Sequence, residues 1–235
     1  MGLVISLSIV TAWITSLSFA LMLPTVSVWH LRFLDVALFF WLQFLFIGLF
    51  IISHDACHGT IAPNRPRLNL WLGRVSAFLY AGFFFDEIRR KHRDHHSFSG
   101  TELDPDFFKR GDGSGPYLSW ILRFFKKYVT LRQLLIMTAC SQILMHVLKL
   151  PESNVLFFWV APSLVSAVQL FTFGTYLPHR ALKTNFDFAD HHSARNSPQS
   201  FWASFFLCYH FGSCHLRHHQ QPALPWYQLY QKSNP

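Results

Sequence analysis

Four apolar stretches, residues 3–23, 34–52, 134–150 and 155–177, constrain this chain more than any other feature. A helix that crosses a bilayer needs roughly 20 mostly apolar residues, and each stretch meets or approaches that length. The third is the shortest and carries Gln142 and His146. At 235 residues, 51% hydrophobic and 14% charged, the chain reads as one membrane-embedded domain, 1–235, rather than a soluble protein. The expected fold is an all-α integral membrane protein of about four transmembrane helices with a cytoplasmic, His-rich cap. The first stretch lacks a basic leader and reads as a span rather than a cleaved signal.

A fifth apolar stretch, 68–85, is interrupted by Gly73, Arg74 and Gly82 and runs into the charged segment 86–91. It reads as an interfacial or re-entrant helix. With four spans, the segments 53–131 and 178–235 fall on one face. That face collects Arg65, Arg67, Arg89, Arg90, Lys91, Arg93, Lys109, Arg110, Arg123, Lys126 and Lys127, whereas the opposite loops hold little beyond His30, Arg32, Lys149 and Glu152. The positive-inside rule makes the basic face and both termini cytoplasmic. Residues 111–116 read as a flexible turn, and 201–211 as an apolar element too short to cross.

The net charge of +8 sits beside apolar segments, which fits a membrane surface and not nucleic acid. Cys57, Cys140, Cys208 and Cys214 have no disulfide-framework spacing and read as reduced.

The histidines are not scattered. His54 and His58 form one cluster, His92, His95 and His96 a second, and His215, His218 and His219 a third. Positions four apart on a helix lie about 40° apart around its axis, on one face. A single His-x-x-x-His is weak evidence; two copies of His-x-x-His-His plus one His-x-x-x-His on one membrane face point to metal. An enrichment of histidine at the headgroup interface explains no repeated spacing. His179, at the end of the fourth span, is a further candidate ligand. Nine imidazoles would serve two ions at about four or five nitrogens each, with room for oxygen or water.

His192 and His210 are candidate ligands or supporting groups, His191 less so, and His30 and His146 read as structural. Metal-bound imidazoles usually donate their other N–H to a carboxylate or carbonyl. Asp55 and Asp94, inside the clusters, are the first candidates for that role, followed by Asp104, Asp106 and Asp190.

Four segments carry a resemblance: 54–59 (HDACHG), 91–107 (KHRDHH through GT to DPDF), 173–180 (FGTYLPHR), and 210–226, from HFG through His218-His219 to Pro225-Trp226. They resemble the bacterial-type beta-carotene ketolases of the membrane fatty acid desaturase and hydroxylase superfamily. The His boxes are shared across that superfamily; the FGTYLPHR run points to the ketolases. The resemblance implies a non-haem di-iron oxygenase with two iron ions, O2 as co-substrate and external electrons from a ferredoxin-type donor. It also implies a carotenoid substrate whose ring C4 methylene is oxidised twice to a ketone, giving echinenone and canthaxanthin from beta-carotene, in a bacterial inner membrane. Phe84, Phe85 and Tyr176 would line the substrate route, together with Phe83 and Trp159. One departure stands out: the last box lacks the family's usual first histidine and acid and has Arg217 instead. The rival readings are a carotenoid ring hydroxylase, an acyl-lipid desaturase, or, outside enzymes, a zinc-handling membrane protein. Transport sites tend to lie near the bilayer midplane, and these histidines lie at helix ends.

Overall fold

The computed structural model describes residues 1–108, 115–180 and 191–230, and every regular element among them is helical. The turn at 111–114 and Asp190 lie outside the described residues. Among the described residues three helices are long and apolar enough to cross a membrane: α1 (Gly2–Leu21), α2 (Phe33–His58) and a long helix (Glu152–His179).

The helix α2 spans 26 residues, about 39 Å at 1.5 Å per residue, against a hydrocarbon core of about 30 Å. Its last two turns therefore overhang the core, and those turns carry His54 and His58. The helix stops at Gly59, which takes the left-handed conformation (φ 77°) that glycine adopts without strain. At its other end Arg32 grips the buried Asp35 through Nε to Oδ2 (2.8 Å) and Nη2 to Oδ1 (2.6 Å).

Pro66 opens α3 (Pro66–Ala81), whose first turn is tied to α2 by Asn69 Nδ2 donating to the Ala56 carbonyl (2.9 Å). After Gly82 the chain enters α4 (Phe85–Phe98), bent by 99° from α3. His92 on α4 meets His58 on α2, so the bent pair returns to the end it left. It is re-entrant, and does not cross.

From that end, α5 (Tyr117–Tyr128) leads into α6 (Leu131–Gln142), which continues as a π-helical turn, Ile143–Val147. The side chain of Gln133 donates to the Ala81 carbonyl (2.7 Å), so α6 caps the end of α3. At 12 plus 5 residues this helix covers about 25 Å, and its far end meets the start of the long helix, here α7 (Glu152–His179). There the buried Asn154 accepts from Val26 N (2.8 Å) and donates to Leu23 O (2.8 Å), fastening α7 to the end of α1. The core between the long helices is filled by Leu42, Phe46, Leu49, Val155 and Phe158, each essentially inaccessible. The helix α7 runs back towards the His58 end and finishes at His179.

The C-terminal segments are short: α8 (Phe201–Cys208), α9 (His215–Gln220) and α10 (Trp226–Leu229). The eight residues of α8 are too few to cross, and they pack on α2 and α7 through Phe205 against Phe44 (5.3 Å) and Gln169 Nε2 donating to Leu207 O (2.8 Å). Tyr209 and His210 then both adopt positive φ (47° and 68°), a costly conformation for residues with side chains. The turn swings Phe211 and α9 over the overhanging end of α2.

Candidate metal centre

All nine candidate ligand histidines converge where α2, α4, α7 and α9 meet. They form two groups. His54, His58, His92 and His218 present one nitrogen each within 4.8 Å of one another, as do His95, His179, His215 and His219. His96 lies between the groups, its Nε2 3.1 Å from the Nε2 atoms of both His92 and His218 and its ring stacked on His219 at 4.3 Å.

Helical geometry explains the sorting. On α4, His92 and His96 are four apart and face the first group, while His95, about 100° round from His96, faces the second. On α9 the allocation is reversed: His215 and His219 turn to the second group and His218 to the first. The boxes on α4 and α9 therefore each serve both groups, whereas His54 and His58 on α2 serve the first alone and His179 on α7 the second.

The fit to a cation rests on the nitrogens themselves. His58 Nε2 stands 2.7 Å from His92 Nε2, His179 Nε2 2.8 Å from His215 Nε2, and His219 Nε2 3.1 Å from those of His95 and His215. A neutral imidazole nitrogen either donates or accepts, so a web of converging Nε2 atoms cannot be satisfied by hydrogen bonds alone. His54, His215, His218 and His219 also have a buried Nδ1 without a hydrogen-bond partner. A donor set of imidazoles alone suits iron, zinc, copper or nickel.

The supporting contacts are concentrated on the second group. His95 Nδ1 donates to Asp104 at 2.9 Å (Oδ1) and 3.1 Å (Oδ2), and Asp106 Oδ2 is 3.9 Å away. Asp104 is itself held by the backbone N–H groups of Asp106 (2.8 Å) and Gly100 (3.1 Å), and Asp106 accepts from Tyr128 Oη. His179 Nδ1 donates to the Ser193 carbonyl (2.7 Å). The candidate ligands outside the spans respond to burial. Burial, then the charges of neighbouring histidines, holds His92, His215, His218 and His219 well below the ordinary imidazole range and takes His96 down to about 2. Burial alone would do the same to His95, but the carboxylates of Asp104 and Asp106 raise it to about 9. For Asp104 burial is outweighed by the His95 charge and hydrogen bond, so its carboxyl is lowered; for Asp106 burial prevails and raises it.

Other expected residues are elsewhere. Asp55 is buried, but its Oδ1 is 3.7 Å from His54 Nδ1, beyond a hydrogen bond; its Oδ2 accepts from Trp226 N (3.2 Å) and pins the C-terminal segment. Asp94, in the middle of α4, has no side-chain hydrogen bond or ion pair among the described residues. His192 lies beside the second group, its ring 5.6 Å from His219, and its carbonyl accepts from Ser99 Oγ. His210 is outside both groups: its Nδ1 shares a hydrogen bond with Ser204 Oγ (2.9 Å), and its ring packs on Phe201 and Tyr230. Arg217 points neither at the histidines nor freely into water; its Nη1 donates to the Leu229 carbonyl (2.7 Å).

A cavity of about 910 Å³ reaches both groups, touching His54 and His92 of the first and His95 and His215 of the second. Its walls are mostly apolar and include Tyr80, Phe83, Met137, Trp159 and Phe171. It opens sideways between α6 and α7, where the lining Leu134, Leu164 and Val168 are exposed. Phe211, which sequence reasoning did not single out, closes the metal end, its ring 4.2 Å from that of His54 and 4.9 Å from that of His218.

Three expected lining residues must be corrected. Phe84 lies under the Arg132 guanidinium (3.8 Å), outside the cavity. Phe85 turns into the joint with α2 and α3, where a Cβ on Gly73 would come within 2.6 Å of its ring. Tyr176 packs on Tyr117 (5.0 Å) and Trp120 (5.4 Å) behind the wall. The expected Phe83 and Trp159 do line it.

The comparisons with known proteins agree with this arrangement. A family model described as "Fatty acid desaturase" matches residues 27–155 and 116–233. The chain belongs to the fatty acid desaturase family. It is 38% identical over 233 residues to "Beta-carotene ketolase" of Paracoccus sp. (strain N81106 / MBIC 01143), covering 97% of this chain and 90% of that protein. To "Zeaxanthin 4-ketolase" of Chlamydomonas reinhardtii it is 35% identical over 97% of this chain and 52% of that protein. To "Beta-carotene ketolase" of Haematococcus lacustris it is 40% identical over 82% and 60%. No solved structure matches the chain. The resemblance read from the His boxes and the FGTYLPHR run is thus matched by similarity to bacterial-type ketolases over nearly the full length.

Proposed function

We propose that this membrane protein is a carotenoid ketolase that oxidises the C4 methylene of a beta-ionone ring to a ketone at a histidine-held pair of iron ions. The observation that carries the reading is an apolar cavity that opens sideways between α6 and α7, among exposed apolar side chains, and reaches both histidine groups. A substrate dissolved in the bilayer can reach such a site without crossing water. At about 910 Å³ the cavity lies near the top of the usual range for ligand pockets, about 300–1,000 Å³, which suits a bulky ring-ended polyene better than a narrow acyl chain.

The first ion would be held by His54, His58, His92, His96 and His218, and the second by His95, His179, His215 and His219. When bound, the iron pair would supply the O2-dependent oxidation of an unactivated C–H bond. The chain's own residues do the positioning. Asp104 and the Ser193 carbonyl fix the tautomers of His95 and His179, so each presents its Nε2 lone pair. Phe211 shields the cavity end from water. Electrons would arrive from a ferredoxin-type donor at the basic His-bearing face, where Arg65, Arg67, Arg90 and Arg93 are exposed; the charge rule makes this face cytoplasmic.

Expression in a beta-carotene-producing cell tests the reading. Echinenone and canthaxanthin are the expected pigments. Products carrying only a ring hydroxyl would favour a hydroxylase, and altered acyl unsaturation with unchanged pigment a desaturase.

A further inference from the structure

Glycine in a helix weakens it, because the residue gains conformational freedom on unfolding and has no side chain to pack. A helical glycine therefore calls for a reason. Among the other described glycines the reasons are visible. A Cβ would meet the Tyr209 hydroxyl at 2.7 Å from Gly48, the Phe85 ring at 2.6 Å from Gly73 and the Phe173 carbonyl at 2.6 Å from Gly212, and similar crowding occurs at Gly2 and Gly115. Gly59, Gly82 and Gly100 have φ between 68° and 77°.

Gly174 has neither reason. It lies inside α7 with no positive φ, and a Cβ there would meet just one atom within 4 Å, Cys208 Sγ at 3.6 Å, an ordinary contact. Both Gly174 and Cys208 line the cavity. The fold thus has room for a side chain at 174, and that room is cavity. Its position is informative too. The neighbouring Phe173 carbonyl abuts Gly212, and Phe211, next to Gly212, touches the rings of His54 and His218. Gly174 therefore lies at the metal end of the cavity, in a π-helical stretch, Phe171–Tyr176, of the kind that often marks functional sites.

We infer that Gly174 sets the ring clearance: its missing side chain makes the space in which a methyl-substituted ring, rather than a slim chain end, reaches the histidine groups. This rests on the ketolase reading and names the residue that fits the site to its substrate class. Gly174 acts by what it leaves open and takes no part in bond making.

The test uses the metal-loaded, full-length protein in lipid nanodiscs, with Gly174→Ala and Gly174→Val beside the parent chain. Retained beta-carotene, retained lycopene as a slim acyclic control, iron content, thermal midpoint and kcat/KM for beta-carotene are measured. One methylene in an apolar pocket typically changes discrimination about 10- to 200-fold. The expected result is a loss of that order in beta-carotene retention and kcat/KM for Gly174→Ala, larger for Gly174→Val, with lycopene retention and iron content unchanged. The thermal midpoint of Gly174→Ala should equal or exceed that of the parent. Parent-like kcat/KM in both variants would overturn the inference. So would a lowered midpoint with loss of both polyenes, which would make Gly174 a requirement of the fold. A parent chain that neither retains nor oxidises beta-carotene would instead overturn the ketolase reading on which the inference rests.

Discussion

The two histidine groups share the boxes on α4 and α9 and yet are unequal. The second, His95, His179, His215 and His219, is buried throughout, and two of its rings are oriented from behind by Asp104 and the Ser193 carbonyl. In the first, His54, His58 and His92 are only partly buried, and the nearest carboxylate, Asp55, is 3.7 Å from His54 and engaged with Trp226. Imidazoles aligned by outer partners hold a metal with less reorganisation. On the proposed function, the contrast would give a tightly held ion in the second group, the inner one, and a more exchangeable ion in the first, the outer one.

The largest expected effects come from removing one ligand of each group. His219→Ala and His92→Ala should both abolish oxidation while leaving membrane insertion intact, and metal analysis should separate them. His92→Ala should lose the outer ion and keep the inner one, whereas His219→Ala should lose the inner ion. Full metal content in both variants would break the assignment of two groups. A step below stands Asp104→Asn, which keeps the shape but weakens the hydrogen bond from His95. Outer-partner losses of this kind cost about 10- to 100-fold in affinity or activity, and the loss should fall on the inner ion alone.

Proton competition gives a further expectation. In the metal-free protein, burial keeps His92, His96, His215, His218 and His219 neutral far below their ordinary range, whereas in the unfolded chain they protonate near pH 6.5. The unfolded state then binds more protons, so stability falls as pH drops through about 6.5 towards the folded values. His95 works in the opposite sense: raised to about 9, it contributes fully below about pH 6.5 and loses that contribution as pH rises through about 9. Five groups outweigh one. Thermal midpoints of chelated protein should therefore fall from pH 7 to pH 5, and a flat profile would contradict the burial of these rings.

A smaller effect is expected at Arg217. Breaking its hydrogen bond to Leu229 by Arg217→Glu should cost on the order of 1–3 kcal/mol of stability and leave the product ratio unchanged under a chemical reductant. A shifted ratio would mean that Arg217 influences the metal groups after all. His30→Ala, at the far end of the molecule, should be silent.

The spacing of the histidines was legible because helical geometry converts three- and four-residue intervals directly into shared faces. Their sorting into groups was not legible, because each group draws on three separate elements and α4 and α9 contribute with opposite allocation. The His95–Asp104 contact was within reach of sequence, since metal-bound imidazoles seek carboxylates. The Ser193 carbonyl was not, because every residue has one. Phe84 and Phe85 illustrate a different limit. They sit at a sharp bend where adjacent side chains point in different directions, and nothing in a Phe-rich sequence says that Phe83 faces the cavity while its two successors face away. The re-entrant turn at Gly82 was signalled by its glycines and by the charged segment that follows, and the His92–His58 contact fixes its sense.

Stepwise chelation of the purified protein, with iron counted at each stage, tests the central claim most directly. Two unequal nitrogen sites predict about two ions per chain removed in two phases, with the faster phase absent in His58→Ala and the slower phase accelerated in Asp104→Asn. A single ion per chain, or two ions leaving in one phase that neither substitution alters, would contradict it.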